Sequence, residues 1–311
     1  MKATVSPKLL ALVFASSLLL GICVQAAAAR EDNGKATFAV IDVPGARFTG
    51  AFGINSARKI AGFYGDSVES GGITHGFLLD RGAFTSIDFP GATFTSAGPI
   101  NNRGDMVGRQ ITDGMSHGYL LSRCEFTSFD FPEAISTVAF GINSRGDIVG
   151  VYSSADRVTH GFLLNHNMFT SIDVPDASLT QAYGINGRGD IVGAYNDSDG
   201  THGFLLSRGE FTTIDIPGAT FTIARGINGA GEIVGLFRSA DNVTHGFLLS
   251  EGESTSIDFP GTTGGTTAFG INARGDIVGS FCDAEPCQAP SLDQHGFLLS
   301  REEGGQDNDD G

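Results

Sequence analysis

A His-Gly pair recurs at His75, His117, His160, His202, His245 and His295, with steps of 42, 43, 42, 43 and 50 residues. A period of that size, held over most of a chain, restricts the fold more than any composition does. Each copy must be one supersecondary unit that buries its apolar face against the next. Two further positions keep the same phase. One is the Asp of "IDVP", "IDFP" or a near-copy, at Asp42, Asp88, Asp130, Asp173, Asp215 and Asp258. The other is the Asn of "GIN" or "PIN", at Asn55, Asn101, Asn143, Asn186, Asn228 and Asn272. Six copies run from about residue 37 to residue 301.

Each copy divides into four short strands. From Phe126 they are "FTSFDF", "STVAFGIN", "DIVGVYS" and "HGFLLN". Pro-Gly or Pro-Glu, then "NSRG", then a variable polar loop separate them, as antiparallel hairpins require. In "DIVGVYS", Ile148 and Tyr152 lie on one face and Val149 and Val151 on the other. A strand apolar on both faces needs a neighbour on each. A two-layer sandwich grants that only to central strands, whereas radially stacked blades grant it to every copy. An open stack would need atypical polar copies at its ends, yet the first and last copies keep their apolar strands. The expected fold is all-β, a six-bladed β-propeller of four-stranded antiparallel blades over residues 37–301. The chain opens on "FAVIDVP" and ends after "HGFLLS", so the N-terminal strand is expected to complete the last blade and close the ring.

The pattern "GINxxGxIVG…HGFLL…FTxIDxPG" resembles the HAF repeats of bacterial extracellular proteins, named for a His-Ala-Phe triplet. Every copy here departs from it in one way, with His-Gly followed by Phe or Tyr. The resemblance implies export and a repeated, propeller-like fold, and brings no activity that attaches to named residues.

Residues 1–29 have the form of a secretory signal. Lys2 and Lys8 precede an apolar run from Leu9 to Val24, and Ala26 to Ala29 offer small residues for cleavage. Residues 30–36 are a lead, and 302–311, "EEGGQDNDDG", form an acidic tail expected to be disordered. No later stretch reaches the ~18 apolar residues of a membrane span. A secreted monomer, extracellular or periplasmic, is expected. Losing Lys2 and Lys8 takes the formal charge from -16 to -18. Such a surface repels phosphate backbones and anionic lipid, which excludes nucleic-acid and electrostatic membrane partners.

Three cysteines follow the signal. Cys282 and Cys287 are spaced to close a small disulfide loop in an oxidising compartment, and Cys124 is left as a partly buried free thiol. Three cysteines do not hold a fold of this size, so the apolar core must.

Arg-Gly-Asp, the tripeptide that cell-adhesion receptors recognise, occurs at residues 103–105, 145–147, 188–190 and 274–276. The first copy has "NSARKIAG" and the fifth "NGAGEIVG" in its place. Turn chemistry accounts for the shared residues. Asn caps a turn by bonding the backbone two residues on, and Gly accepts a left-handed angle. Arg and Asp are then polar companions, and the tripeptide is a turn rather than an adhesion ligand.

Six equivalent histidines raise the question of a metal. Its ligands must converge on one ion, whereas symmetry spreads six copies around a ring. The structural reading is a His–Asp–hydroxyl network tying blade to blade, with Thr or Ser preceding five of the six His. By analogy it resembles the network of Trp-Asp repeat propellers. His166 lies outside the pattern, at a surface turn. The variable loops carry Asp66 and Glu69, Asp113, Asp156, Asp197 and Asp199, Asp241, and Asp283 and Glu285. Weak calcium binding is a secondary expectation for these, against solvated loop acids. "NDSDG" at 196–200 echoes a calcium loop, but Arg208 stands where a bidentate Glu belongs. Phosphate-loop and H-E-x-x-H motifs are both absent. The functional expectation is a non-enzymatic binding or structural module for an extracellular glycan or protein, with no cofactor beyond possible calcium. The alternative is a polysaccharide hydrolase or lyase with acids in the propeller channel.

Overall fold

A computed structural model describes residues 36–66, 73–283 and 294–301. The signal, the acidic tail, Glu69, Glu285 and Cys287 lie outside the described residues. The strands follow the repeat. β1 (Ala36–Ile41) leads into the first copy, β2 (Phe48–Ile54), β3 (Ile60–Gly65), β4 (Thr74–Asp80) and β5 (Ala83–Ile87). The second copy is β6 (Phe94–Ile100), β7 (Met106–Thr112), β8 (Met115–Ser122) and β9 (Glu125–Phe129). The third is β10 (Ser136–Ile142), β11 (Ile148–Ser153), β12 (Thr159–Asn165) and β13 (Met168–Ile172). The fourth is β14 (Leu179–Ile185), β15 (Ile191–Asn196), β16 (Thr201–Ser207) and β17 (Glu210–Ile214). The fifth is β18 (Phe221–Ile227), β19 (Ile233–Arg238), β20 (Thr244–Ser250) and β21 (Glu253–Ile257). The sixth is β22 (Thr266–Ile271), β23 (Ile277–Cys282) and β24 (Gln294–Arg301).

These strands build an all-β β-propeller of four-stranded antiparallel blades. Four separate blades are present rather than the six expected: β10–β13, β14–β17, β18–β21, and β22–β24 with β1. The other eight strands form one sheet, because β4 and β6 share a parallel bridge at Thr74 and Phe94 that joins β2–β5 to β6–β9. In the blade of the sixth copy, β1 pairs antiparallel with β24 from Ala36 opposite Arg301 to Ile41 opposite Gly296.

The core lies between copies. The "HGF" aromatic of each third strand, Phe77, Tyr119, Phe162, Phe204, Phe247 or Phe297, is fully buried. Each packs across the Gly of "IVG" or its equivalent on the second strand. At Gly150 a Cβ would lie 2.0 Å from the Val138 carbonyl oxygen and 2.8 Å from the Phe162 ring, so no larger residue fits. Val149 of the third copy packs with Ala182, Ile191 and Phe204 of the fourth, and Val278 of the sixth packs with Ile54 and Phe77 of the first. Burial on both faces is what the two-sided apolar strands require.

Candidate functional site

The innermost strand of every copy carries a bulge at one place. Register slips between Ala51 and Gly53, Ala139 and Gly141, Ala182 and Gly184, Ala224 and Gly226, and Ala268 and Gly270. In the second copy the slip is longer, from Ala97 to Ile100. A bulge leaves its extra residue unpaired and re-aims its side chain. The residues so released are Phe52, Phe140, Tyr183, Arg225 and Phe269, with Gly98-Pro99 in the second copy. The following Gly is forced by crowding: a Cβ on Gly141 would lie 2.8 Å from the Tyr183 carbonyl oxygen, and one on Gly184 2.7 Å from that of Arg225.

All six released positions line one cavity of about 300 Å³, together with Phe63, Phe94, Ser96 and Arg109. Phe52 stacks on Phe63 with ring centres 4.9 Å apart and meets Phe269 edge-on at 4.6 Å. Phe140 meets Tyr183 edge-on at 5.1 Å. The Arg225 guanidinium carbon lies 3.9 Å from the Tyr183 ring centre and 5.7 Å from that of Phe269. Arg109 sits 5.1 Å over the Phe94 ring, donates from Nε to Ser116 Oγ at 2.9 Å, and is pulled below its ordinary pKa by burial. Among the described residues the lining contains no Asp or Glu. This chemistry suits a ligand with an apolar ring face and an acceptor for guanidinium.

The strand ends beyond the bulge carry the Asn positions. Each Asn donates from Nδ2 to the backbone carbonyl of the Asn in the next copy: 55 to 101, 101 to 143, 143 to 186, 186 to 228, 228 to 272, and 272 back to 55, at 3.1–3.3 Å. The Oδ1 of Asn143 accepts from the backbone N–H groups of Arg145, Gly146 and Asp147, and Gly146 adopts a φ of 95°. The turn reading therefore describes Asn and Gly, but Arg and Asp are more than companions. Arg145 pairs with Asp147 at 2.7 Å and donates to the carbonyl oxygen of Gly187 in the following copy; Arg188 does the same to Gly229. Asp105, Asp147 and Asp276 are buried. A carboxylate held in this way is withheld from an adhesion receptor.

The opposite strand ends carry the His–Asp pairs. Nδ1 of His75, His117, His160, His202, His245 and His295 lies 2.5–3.0 Å from Asp88, Asp130, Asp173, Asp215, Asp258 and Asp42. Each pair joins the third and fourth strands of one sheet, so the expected link from blade to blade is corrected. The strand-to-strand hairpin places the two residues side by side before any neighbour is reached. The hydroxyls also differ from the expected ones. Ser86 and Ser171, two residues before their Asp, donate to it, and Ser154 and Ser239 in the variable loops meet Nε2 of His160 and His245.

The loop acids are engaged locally. Asp66 Oδ2 lies 3.2 Å from His75 Nε2, and Asp283 Oδ2 lies 3.6 Å from His295 Nε2. Asp156 and Asp241 accept from Ser154 and Ser239, and Asp197 accepts from the backbone N–H groups of Asp199 and Gly200. Asp113 holds a left-handed turn at φ 53°. Among the described residues no three His, Cys, Asp or Glu side chains converge to hold a metal. Cys282 is disulfide-bonded. Cys124 is free and exposed rather than partly buried, because it stands at the tip of the tight β8–β9 turn with φ 66°. The cavity residues escaped the sequence reading. The signal available was a column, Phe52, Gly98, Phe140, Tyr183, Arg225 and Phe269, that departs from the repeat in two copies.

No protein-family model matches the sequence. No curated protein matches it either. Among solved structures the chain is similar to TolB from Acinetobacter baumannii, with a TM-score of 0.53 at 8% identity over 81% of this chain and 64% of that one. The chain thus spans under two thirds of that protein's length. It is similar to AofleA from Arthrobotrys oligospora, with a TM-score of 0.50 at 10% identity over 86% of this chain and 92% of that one. A third is Aleuria aurantia lectin in complex with Fucα1-6GlcNAc, with a TM-score of 0.51 at 10% identity over 83% and 96%. At these identities the fold is what is shared. No helix among the described residues is long and apolar enough to cross a membrane.

Proposed function

We propose that this chain is a secreted, non-enzymatic binding module of the HAF-repeat kind that takes an extracellular glycan in its axial cavity. In this reading the eight-stranded sheet is two blades sharing one bridge, the propeller has six blades, and β1 is its latch. The cycle of six Asn side chains supports the count, and the pairing of β1 with β24 supports the latch. Binding rests on one observation: a cavity of about 300 Å³ lined by ring faces, with two guanidinium groups and no carboxylate. Sugar rings present a C–H face to aromatic side chains, and a few placed polar groups fix their orientation. The similarity to a lectin fits this reading. A hydrolase of the two-carboxylate kind needs those groups about 5–9 Å apart, and among the described residues this lining has none.

The test is retention of residues 30–311 on a panel of insoluble polysaccharides, with and without calcium. Saturable retention on a subset, without soluble sugar products, is the expected outcome. Retention on no polymer would remove glycan from the reading and turn the search to protein partners. Release of sugars would restore the hydrolase. Dependence on calcium would make sites of Asp66, Asp156, Asp197 and Asp241.

A further inference from the structure

We propose that the axial cavity selects a carboxylate-bearing pyranose, a hexuronate unit of an acidic glycan, with its ring on the aromatic lining and its carboxylate at Arg225. This rests on the glycan reading above and names the ligand class. Arg225 is the single charged residue in the bulge column, and its Nε is buried without a hydrogen-bond partner. Its guanidinium is flanked by Tyr183 and Phe269. A guanidinium set against ring faces calls for an acceptor, and among the described residues the lining offers no carboxylate to serve as one. The whole chain carries a formal charge of -16, whereas this lining holds two guanidinium groups.

The space for a ligand lies across from that group. In the cycle of six copies, the second stands three places from the fifth. There the bulge residue is Gly98, which leaves the volume that an aromatic ring fills in four other copies. Arg109 and Ser96 border this gap, as a second cation and a small hydroxyl. A cavity of about 300 Å³ suits one ring unit. The planar guanidinium fork matches a carboxylate in bidentate geometry. A small aromatic acid shares that chemistry, and the experiment separates the two.

Titration calorimetry on residues 30–311 uses glucuronate and galacturonate, their methyl esters, glucose and benzoate as probes. At least one uronate is expected to bind, its ester at least tenfold more weakly, and with affinity falling as salt rises. Arg225→Met removes the guanidinium while keeping an unbranched apolar side chain and is expected to lose at least tenfold, with Arg225→Lys between the two. Ser96→Ile copies the residue at the same strand position in the fifth copy, Ile223. It should fill the gap and abolish uronate binding while leaving the melting temperature close to that of the parent. Equal binding of acid and ester, or full binding by Arg225→Met, overturns the proposal even if retention on polysaccharide persists. Tighter binding of benzoate than of any uronate overturns the sugar assignment, and binding of no probe overturns the site. Retention on neutral polymers that Ser96→Ile leaves unchanged keeps the binding module and moves its site elsewhere.

Discussion

Arg58 joins the first copy to the last, and its removal is the sharpest available test of how the ring is held. Its Nε donates to Asp276 Oδ2 at 2.9 Å and its Nη2 to Oδ1 at 2.8 Å, across 218 residues of sequence. The Asp276 side chain is fully buried, whereas that of Arg58 is 45% exposed. Arg58 occupies the turn position that Gly holds in the other copies, and keeps a left-handed φ of 57° there. An L-residue at such an angle costs about 1 kcal/mol. Its reach to the neighbouring carboxylate offsets that cost.

Breaking a buried pair from one side costs about 3–5 kcal/mol. Two features reduce that figure: Arg58 is partly solvated, and Asp276 keeps the Nδ2 bond from Asn272 at 2.9 Å. Arg58→Ala is therefore expected to cost about 2.5 kcal/mol, which lowers the melting temperature by roughly 5–8 °C in a chain of this size. Arg58→Gly loses the same pair but relaxes the backbone, and should cost about 1 kcal/mol less. Arg103 is the control. It pairs with Asp105 two residues away and is 52% exposed, so Arg103→Ala should cost about 1 kcal/mol or less. Urea unfolding followed by circular dichroism measures all three, and an Arg58→Ala/Asp276→Asn cycle isolates the pair. A cost for Arg58→Ala below that of Arg103→Ala, or a Gly variant no better than Ala, would refute the argument.

Three further outcomes follow from the same network. Gly150→Ala should destabilise more than Phe162→Leu, because its Cβ meets the backbone oxygen of Val138, which cannot step aside; ranking the two by thermal melting checks this. Asn143 is buried with both amide atoms used. Asn143→Asp should therefore destabilise by about 2–4 kcal/mol at neutral pH, by removing donors and facing Asp147, and should recover partly in acid; a loss independent of pH would count against the role given to Asp147. The third concerns pH itself. His75 is held above the ordinary histidine value although burial opposes it, because Asp88 and Asp66 flank it; His202 and His295 are raised by their bonds to Asp215 and Asp42. Their contribution is complete below about pH 6.5 and is lost as pH rises through the folded values. Asp105, Asp190, Asp276 and Glu232 are lowered, burial opposing and hydrogen bonds prevailing. Their contribution is complete above about pH 4.5 and lost as pH falls. Melting should peak between about pH 5 and 6, and a steady rise from pH 5.5 to 8 would contradict the assignment.

Much of this fold was legible because it is written six times. The alternation in "DIVGVYS" and "HGFLLN" identifies strands that need two neighbours, and Ile148 and Val149 are both buried, as that pattern demands. The count of separate sheets was less accessible, since one bridge between Thr74 and Phe94 merges two of them and no pattern announces it. The His–Asp pairing was half legible. Five of the six pairs are separated by 13 residues, the span of one hairpin, which already pointed within a sheet rather than between blades. The cavity was hidden for a different reason. A bulge shifts the two-residue alternation by one, and in "AFGI" the shift falls on a Gly, where no side chain records it. Phe52, Phe140 and Tyr183 then pass for ordinary strand aromatics. Positions alike in every copy, such as the six Asn, are committed to holding neighbours together, and a ring of identical groups has no preferred place for an asymmetric ligand. Only a column that differs between copies creates one. In the bulge column that departure is Gly98 and Arg225, where four other copies carry an aromatic ring, and the proposed site rests on it.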